Sequence, residues 1–340
     1  MNSSPEVSRP TQPLLRVRGL RTVFHLHNGS WPAVDGVDLE VARGEVLGLV
    51  GESGSGKSVM GFSLLGLVDL PGEVVQGEVA LAGEDLRRAS AERLRQLRGD
   101  RMAMIFQDPQ MTLNPVLTIG EQMAEAVQAH RSASRAQAWA EAALALQRVG
   151  IAEPQQRLRQ YPHEFSGGMR QRVAIAIALL NGPDLIIADE PTTALDVTLQ
   201  GQILYEMKRL AQESGAALLW ITHDLAVVAE LADRIAVMYA GRIVETGPTQ
   251  QVLREPRHPY TRGLLDAVPD SVPRGQRLAQ IEGMAARLEA RPPGCAFHPR
   301  CPRASARCAV EAPVPNTTGT RTWACHHPWI VTGEVEGTAA

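Results

Sequence analysis

One segment, residues 45–58, constrains the fold of this chain more than any other. Apolar residues up to Val50 predict a buried strand, and the residues from Ser58 onward predict a helix. Between them the spacing from Gly51 to Gly56 follows G-x-x-x-x-G-K-S. Glycines let the backbone N–H groups of such a turn converge on phosphate oxygens, and the start of the helix adds partial positive charge. The segment therefore predicts an α/β fold with a phosphate site at this turn.

The side chains of this loop suit a nucleotide and a metal ion. Lys57 can reach the β and γ phosphates, and the Ser58 hydroxyl can bind Mg²⁺. The alternative is a glycine-rich loop that matches the pattern by chance. The predicted strand before the loop and the predicted helix after it make such a chance match less frequent. The residues expected to contact the nucleotide are Gly51, Ser53, Gly54, Ser55, Gly56, Lys57, Ser58 and Val59.

Length and charge limit the class of protein. The 340 residues accommodate two domains, or one larger domain with an appendage. The net charge of −3 gives no sign of a nucleic-acid binder driven by bulk charge. No segment approaches the roughly 18 apolar residues that span a bilayer, and residues 1–13 lack the apolar core of a signal peptide. We expect a disordered segment at 1–13 and a cytoplasmic protein that meets a membrane only through a partner.

Several chemistry-bearing residues fall at the ends of predicted strands. Gln107 follows one apolar run, Asp189 and Glu190 close another, and His223 follows a third. Ligands of open parallel sheets bind at the carboxyl ends of the strands, so these side chains are expected at one edge. Successive strand residues point oppositely, which would set one carboxylate beside Mg²⁺ and the other beside the γ phosphate. Two surface acids are the alternative, but the apolar run before them predicts a buried strand.

Three further signals accompany these. Ser166 and Gly168 precede a predicted helix and form a second candidate anion site. Phe24 lies ahead of the phosphate loop and could stack on adenine, although an isolated Phe is more often part of a core. Residues 119–149 have helical spacing, which predicts a helical insertion rather than another βα unit.

The chain has four cysteines, all late in the sequence: Cys295, Cys301, Cys308 and Cys325. Their separations differ from the paired C-x-x-C of common zinc sites. Four thiols with interleaved Pro and His suit an iron–sulfur cluster. The alternatives are zinc, with His298, His326 or His327 in a mixed site, and unligated thiols. A reducing compartment argues against disulfides.

In the order of its motifs the chain resembles the ATP-binding subunits of ABC transporters. Among these it is most similar to the oligopeptide/dipeptide importer branch. The resemblance covers roughly residues 14–330, and Phe165 and Met169 depart from the more familiar Leu and Gln of the signature. The corresponding motifs are Walker A at 51–58, the Q-loop Gln107, the signature at 165–169, Walker B at 185–190, the D-loop at 194–196 and the switch His223. The stretches 104–109, 113–120 and 258–260 are similar to the importer branch in particular.

The resemblance implies an α/β P-loop ABC ATPase cassette, with a RecA-like core, an antiparallel β subdomain and a helical subdomain. It implies a nucleotide-binding domain at 14–257, whose helical subdomain spans about 108–172. Residues 258–340 then form a C-terminal extension of the oligopeptide-transporter type, in which members of this branch carry a [4Fe-4S] cluster on cysteines. It also places Phe24 at the adenine-stacking position.

The implied mechanism needs two cassettes facing head to tail. ATP held by Lys57 and Ser58 of one would be covered by Ser166 and Gly168 of the other. Among the remaining motif residues, Glu190 would polarise the attacking water and His223 would hold the γ phosphate. Asp189 would hold Mg²⁺ together with Ser58 and Gln107. Gln107 would also sense the membrane partner, and Asp196 would contact the nucleotide.

The implied partners are a second cassette of the same or a homologous chain, two transmembrane permease subunits and an extracytoplasmic substrate-binding protein. The subunit would then lie peripherally on the cytoplasmic face of the inner membrane and drive uptake of peptides or a related small solute. A non-transport ABC ATPase of DNA repair or translation is the rival. Two features weigh against this rival. The segment between the Walker motifs has no sustained heptads of a coiled coil, and the chain has a single phosphate loop rather than two. A third possibility is a subunit that serves only as a binding partner and whose own ATP site is inactive. The presence of Glu190 and His223 argues against it.

Overall fold

The computed structural model describes residues 12–109, 112–192, 197–268 and 280–329. Its strands are β1 Leu15–Leu26, β2 Gly29–Val41, β3 Val46–Val50, β4 Gly72–Leu81, β5 Glu84–Asp85, β6 Met102–Ile105, β7 Leu185–Asp189, β8 Ala217–Thr222, β9 Arg234–Tyr239, β10 Arg242–Pro248, β11 Asn316–Thr318 and β12 Arg321–Trp323. Its α-helices are α1 Lys57–Leu65, α2 Ala91–Leu97, α3 Ile119–Gln128, α4 Arg135–Arg148, α5 Pro154–Arg157, α6 Gly167–Leu179, α7 Val197–Ser214, α8 Leu225–Leu231, α9 Thr249–Arg254, α10 Pro259–Asp266 and α11 Ala306–Val310.

The larger sheet has the strand order β11-β12-β10-β9-β3-β8-β7-β6. The strands from β9 to β6 are parallel to their neighbours, whereas β10, β12 and β11 add an antiparallel edge. Every residue of β3, β7 and β8 is buried, as expected for parallel strands covered on both faces. This order brings the carboxyl ends of β6, β7, β8 and β3 to the same edge of the sheet.

The smaller sheet is antiparallel, in the order β2-β1-β4-β5. Its apolar side chains, such as Leu15 and Val34, share one buried cluster with Leu49 of β3 and Met60 of α1. The packing sets this sheet beside the phosphate loop, where Ala33 of β2 approaches Gly56, and Phe24 lies on the neighbouring strand β1. The two sheets confirm the predicted α/β class.

The predicted helical insertion takes the form of α3 and α4, which pack on each other and on α6. Both begin with a reciprocal capping box, Thr118 with Glu121 and Ser134 with Gln137, which satisfies N–H groups at the helix start. The limits of a helical subdomain at 108–172 stay a prediction. In the described ranges no helix is long and apolar enough to cross a bilayer.

The C-terminal part of the chain is built onto the main sheet. β12 pairs with β10 through Glu245 with Trp323 and Thr246 with Thr322. Phe297 is buried and belongs to the same core as β8 and β9. An ion pair of 2.7 Å joins Arg321 to Glu245, with side chains only 7% and 0% exposed. The extension and the cassette therefore share one core, and the division at residue 257 stays a prediction.

Candidate active site

The phosphate loop connects β3 to α1, as the glycine spacing predicts. Gly56 has φ +104°, and a Cβ built there would lie 2.3 Å from the carbonyl oxygen of Ala33. A Cβ at Gly51 would lie 2.2 Å from the carbonyl oxygen of Met238. Glycine is required at both positions because the loop packs directly against neighbouring backbone.

Lys57, the first residue of α1, lies over the loop with 5% of its surface exposed. Its Nζ donates hydrogen bonds to the carbonyl oxygens of Gly51, at 2.8 Å, and Glu52, at 3.0 Å. Burial lowers the pKa of Lys57, while the charges of Glu190 and Asp189 act in the opposite direction. The ammonium is therefore held inside the loop, where an anionic phosphate could replace the two carbonyl groups.

A hydroxyl and a carboxylate meet next to Lys57. Ser58 Oγ donates a hydrogen bond of 3.0 Å to Asp189 Oδ1 at the end of β7. Asp189 is 4% exposed, and burial raises the pKa of its carboxyl, with the charge of Glu190 adding to the effect. Hard oxygen donors of this kind are the ligands that Mg²⁺ prefers, so the pair fits a magnesium ion.

Glu190 lies between two of the other predicted site residues. Gln107 Nε2 donates to Glu190 Oε2 at 3.3 Å, and His223 Nδ1 lies 3.2 Å from Glu190 Oε1. Glu190 has φ +43°, which is uncommon for a residue with a side chain and is found at functional sites. The strand-end residues thus converge, as the sheet order requires.

A cleft of about 1130 Å³ opens at this edge. Its walls include Phe24, Lys57, Gln107 and Glu190, together with His223. The further predicted contacts in its lining are Gly51, Ser53, Gly54, Gly56, Ser58 and Val59. Ser55 is buried behind the loop and 5% exposed.

Two predicted contacts lie elsewhere and a third is not described. Ser166 caps α6 by accepting a hydrogen bond from the backbone N–H of Met169, at 3.3 Å. Ser166 is exposed, and neither it nor Gly168 is among the residues that line the cleft. Asp196 and the D-loop segment lie outside the described residues. A complete site with the signature therefore needs a second subunit or a movement of α6.

Sequence reasoning missed one wall of the cleft. The cleft is lined in part by residues 285–289, Arg291 and Leu264, all from the C-terminal part of the chain. Nothing local marks these residues as functional. Only the 258–260 stretch carried a signal, because Tyr260 accepts a hydrogen bond from the backbone N–H of Glu52 in the loop, at 2.8 Å.

The predicted iron–sulfur cluster is wrong. The four cysteines do line one small hollow with His298, His326 and His327. Within the described residues, however, no group of three or more His, Cys, Asp or Glu side chains is arranged to hold a metal ion, which leaves zinc unsupported as well. Burial raises the pKa of the Cys295 and Cys301 thiols, and that of Cys325 to about 11.

Comparison with known proteins decides the family. The sequence profile of the ABC transporter family matches residues 34–193. The dipeptide transport ATP-binding protein DppD of Escherichia coli strain K12 is 46% identical over 316 residues, covering 93% of this chain and 97% of that protein. The chain belongs to the ABC transporter family. It is an ATP-binding subunit and an ATPase of that family, which confirms the resemblance drawn from the motifs.

Further matches agree with this ABC transporter assignment. The profile for the C-terminal region of oligopeptide/dipeptide transporters matches residues 244–308. A peptide import ATP-binding protein of Brucella melitensis is 49% identical over 314 residues, covering 89% of this chain and 93% of that protein.

Solved ABC structures are similar as well. The dimeric post-hydrolysis form of the ATP-binding cassette MJ0796, bound to ADP and Pi, has a TM-score of 0.63 at 28% identity, covering 69% of this chain and 98% of that one. For cbiO1 from Clostridium perfringens, part of the cbiONQ transporter complex, the TM-score is 0.61 at 25% identity, covering 72% of this chain and 91% of that one. The fold of this ABC subunit is therefore that of an ATPase cassette.

Proposed function

We propose that this subunit couples ATP binding and hydrolysis to the import of oligopeptides or dipeptides. The observation that carries the proposal is the match of residues 244–308 to the C-terminal region of oligopeptide/dipeptide transporters, in a chain whose cassette motifs are complete in sequence. The relatives named for peptide import match over most of their length, which supports the same substrate class.

In this proposal the nucleotide phosphates lie in the phosphate loop. Lys57 exchanges its bonds to the carbonyl groups of Gly51 and Glu52 for phosphate oxygens. Ser58 and Asp189 hold Mg²⁺, with Gln107 as a further ligand; the ion supplies positive charge that offsets the charge of the phosphates. Phe24, which lines the same cleft, stacks on the adenine.

Hydrolysis depends on Glu190 as the general base. Its carboxylate is oriented by Gln107 on one oxygen and by His223 on the other. A carboxylate fixed in this way can accept a proton from an attacking water at the γ phosphate. His223, with 55% of its side chain exposed, is free to turn toward the γ phosphate.

The signature requires a partner cassette. Ser166 and the start of α6 present an exposed helix N-terminus, which suits the phosphates held by a facing subunit. Two copies or homologues in head-to-tail contact would complete two sites. Two permease subunits would transmit closure across the membrane and an extracytoplasmic binding protein would deliver the solute. The subunit would then lie on the cytoplasmic face.

Reconstitution tests this proposal. The subunit is purified with its membrane partners and placed in liposomes that contain ATP in the compartment facing the cassettes. We expect di- and oligopeptides, presented with the binding protein, to stimulate phosphate release and to be taken up. Stimulation by other solutes but not by peptides, or ATP turnover that proceeds without membrane partners and responds to nucleic acid, would contradict it.

A further inference from the structure

Glu52, a residue of the phosphate loop with no expected role in nucleotide contact, is held by all three of its polar groups. Its carboxylate accepts two hydrogen bonds from the guanidinium of Arg300, at 2.6 and 2.9 Å. Its backbone N–H donates to the hydroxyl of Tyr260 at 2.8 Å. Its carbonyl oxygen accepts from Lys57 Nζ at 3.0 Å. Two of these partners come from the C-terminal part of the chain.

Arg300 is itself fixed. Only 5% of its side chain is exposed, and its guanidinium lies 5.9 Å from the ring centres of both Tyr239 and Phe297. Its Nε donates to the carbonyl oxygen of Glu282 at 3.0 Å. The hydrogen bonds with Glu52 are the main cause that raises the pKa of Arg300. A planar guanidinium stacks on rings and binds a carboxylate through two nitrogens. A lysine in its place would lose the stacking and one of the two hydrogen bonds.

Neighbouring contacts hold the same part of the chain against the loop. The backbone N–H of Ala286 lies 3.4 Å from the hydroxyl of Tyr239, and Arg291 donates to the carbonyl oxygen of Ala240 at 3.2 Å. Ala285 and Ala286 face Ser53 and Gly54 across a narrow gap. The extension thus contacts the loop and also lines the nucleotide cleft.

We propose that Arg300, with Tyr260, is a positioning residue for ATP binding. Without nucleotide, Lys57 is bound to the loop's own carbonyl groups and helps to keep them in place. When Lys57 turns to the phosphates, those bonds are lost, while the anchored Glu52 and the bond from the Gly241 N–H to the carbonyl oxygen of Ser55, at 2.9 Å, still hold the loop. The loop is then pre-organised, so less of the binding energy is used to order it. The inference rests on the assignment of residues 51–58 as the nucleotide site.

The test measures the affinity of the full-length protein for MgATPγS by calorimetry, the KM and kcat of ATP hydrolysis, and the melting temperature. The variants are Arg300→Gln and Arg300→Lys, with Arg307→Gln as the matched control, because Arg307 lies on the same extension in an exposed pair with Glu311. We expect Arg300→Gln to weaken binding and raise KM about tenfold, the size of one charge-assisted hydrogen bond, with kcat within about twofold. Arg300→Lys recovers part of this, and Arg307→Gln changes nothing.

A second pair of variants separates positioning from folding. Tyr260→Phe removes only the hydroxyl that accepts from the Glu52 backbone, and Glu52→Gln keeps the size of the side chain that Arg300 binds. Both are expected to weaken MgATPγS, and Glu52→Gln with Arg300→Gln should lose little more than either alone. A lower melting temperature with unchanged affinity in all of these variants would overturn the proposal. Failure of the wild-type protein to bind MgATPγS would instead refute the nucleotide site itself.

Discussion

The hydroxyl of Ser58 donates a 3.0 Å hydrogen bond to the carboxylate of Asp189, joining the start of α1 to the end of β7. These residues are 131 positions apart in the chain. Parallel pairing of β3, β8 and β7 brings them together at one edge. The contact joins the phosphate-loop motif to the acidic strand-end motif. The protonation state of Asp189 therefore affects the same site that contains Ser58.

Asp189→Asn is expected to stabilise the metal-free protein at neutral pH. Burial raises the pKa of Asp189, so the native state binds this proton more tightly than the unfolded chain. The contribution of the group is therefore favourable at low pH and is lost as pH rises through its native pKa. The amide removes the buried charge and still accepts from Ser58. Melting curves from pH 4 to 8 should show a gain of a few degrees at pH 7 that shrinks toward pH 4.

The control for this prediction is Asp69→Asn, at an exposed residue. It should leave the melting curves unchanged. An Asp189→Asn protein that melts at or below the wild-type temperature at pH 7 would contradict the prediction. It would show that favourable interactions of the charged carboxylate offset the cost of its burial. ATP turnover with Mg²⁺ should fall in the same variant because a neutral amide is a poorer ligand.

Glu190→Gln should trap ATP. The amide can keep hydrogen bonds to Gln107 and His223 but cannot accept a proton from water, so hydrolysis falls by roughly 10²–10⁴-fold while binding persists. Phosphate release measures the loss, and size-exclusion chromatography with MgATP measures dimer formation, which should increase. Hydrolysis near the wild-type rate would mean that another group is the base. Glu213→Gln, at an exposed residue of α7, serves as the control.

His258→Asn should reduce the acid sensitivity of the fold. His258 is 1% exposed, and its Nδ1 accepts from the backbone N–H of Tyr260 at 3.0 Å. Burial lowers its pKa to about 3, so the unfolded chain binds the proton more readily. The stability from neutral His258 is complete above about pH 6.5 and is lost as pH falls toward 3, by up to about 1.4 kcal/mol per pH unit.

Asparagine keeps an acceptor at the start of α10 without taking up a proton. Denaturant unfolding at pH 7 and pH 5 should therefore show a smaller loss of stability for His258→Asn than for the wild type. His163→Asn, at an exposed residue, should retain the wild-type difference between the two pH values. Equal losses in the wild type and His258→Asn would contradict the prediction.

Arg321→Met should lower the free energy of unfolding by weakening the attachment of the extension to the main sheet. The substitution leaves Glu245 buried without its 2.7 Å ion partner, although the carboxylate still accepts from the backbone N–H groups of Arg257 and His258. Breaking a buried pair on one side costs about 3–5 kcal/mol of unfolding free energy. Thermal or denaturant unfolding measures it, and the exposed Arg307→Met should change it by less than about 0.5 kcal/mol. A double change to Arg321→Met with Glu245→Leu should recover stability, and a cost equal to the control would refute the role of the pair.

The sequence was sufficient where a short pattern carries its own physical reason. Glycine spacing located the phosphate loop because its backbone leaves no room for a Cβ at Gly51 or Gly56. Apolar runs placed Gln107, Asp189 and His223 at strand ends, and parallel strands must end together. The cysteines show the limit of such patterns, since their spacing says nothing about how the folded chain arranges their side chains relative to one another.

Only the tertiary structure decided how the C-terminal part of the chain meets the site. Arg300 and Glu52 are 248 residues apart, and no local pattern relates them. They meet because β12 pairs with β10 and Phe297 packs beside Tyr239, which carries the extension back to the phosphate loop. The sequence by itself determined the phosphate loop and the strand-end residues, since those depend on spacing along the backbone. The structure decided the rest, because contacts between distant segments depend on how side chains fill a shared core.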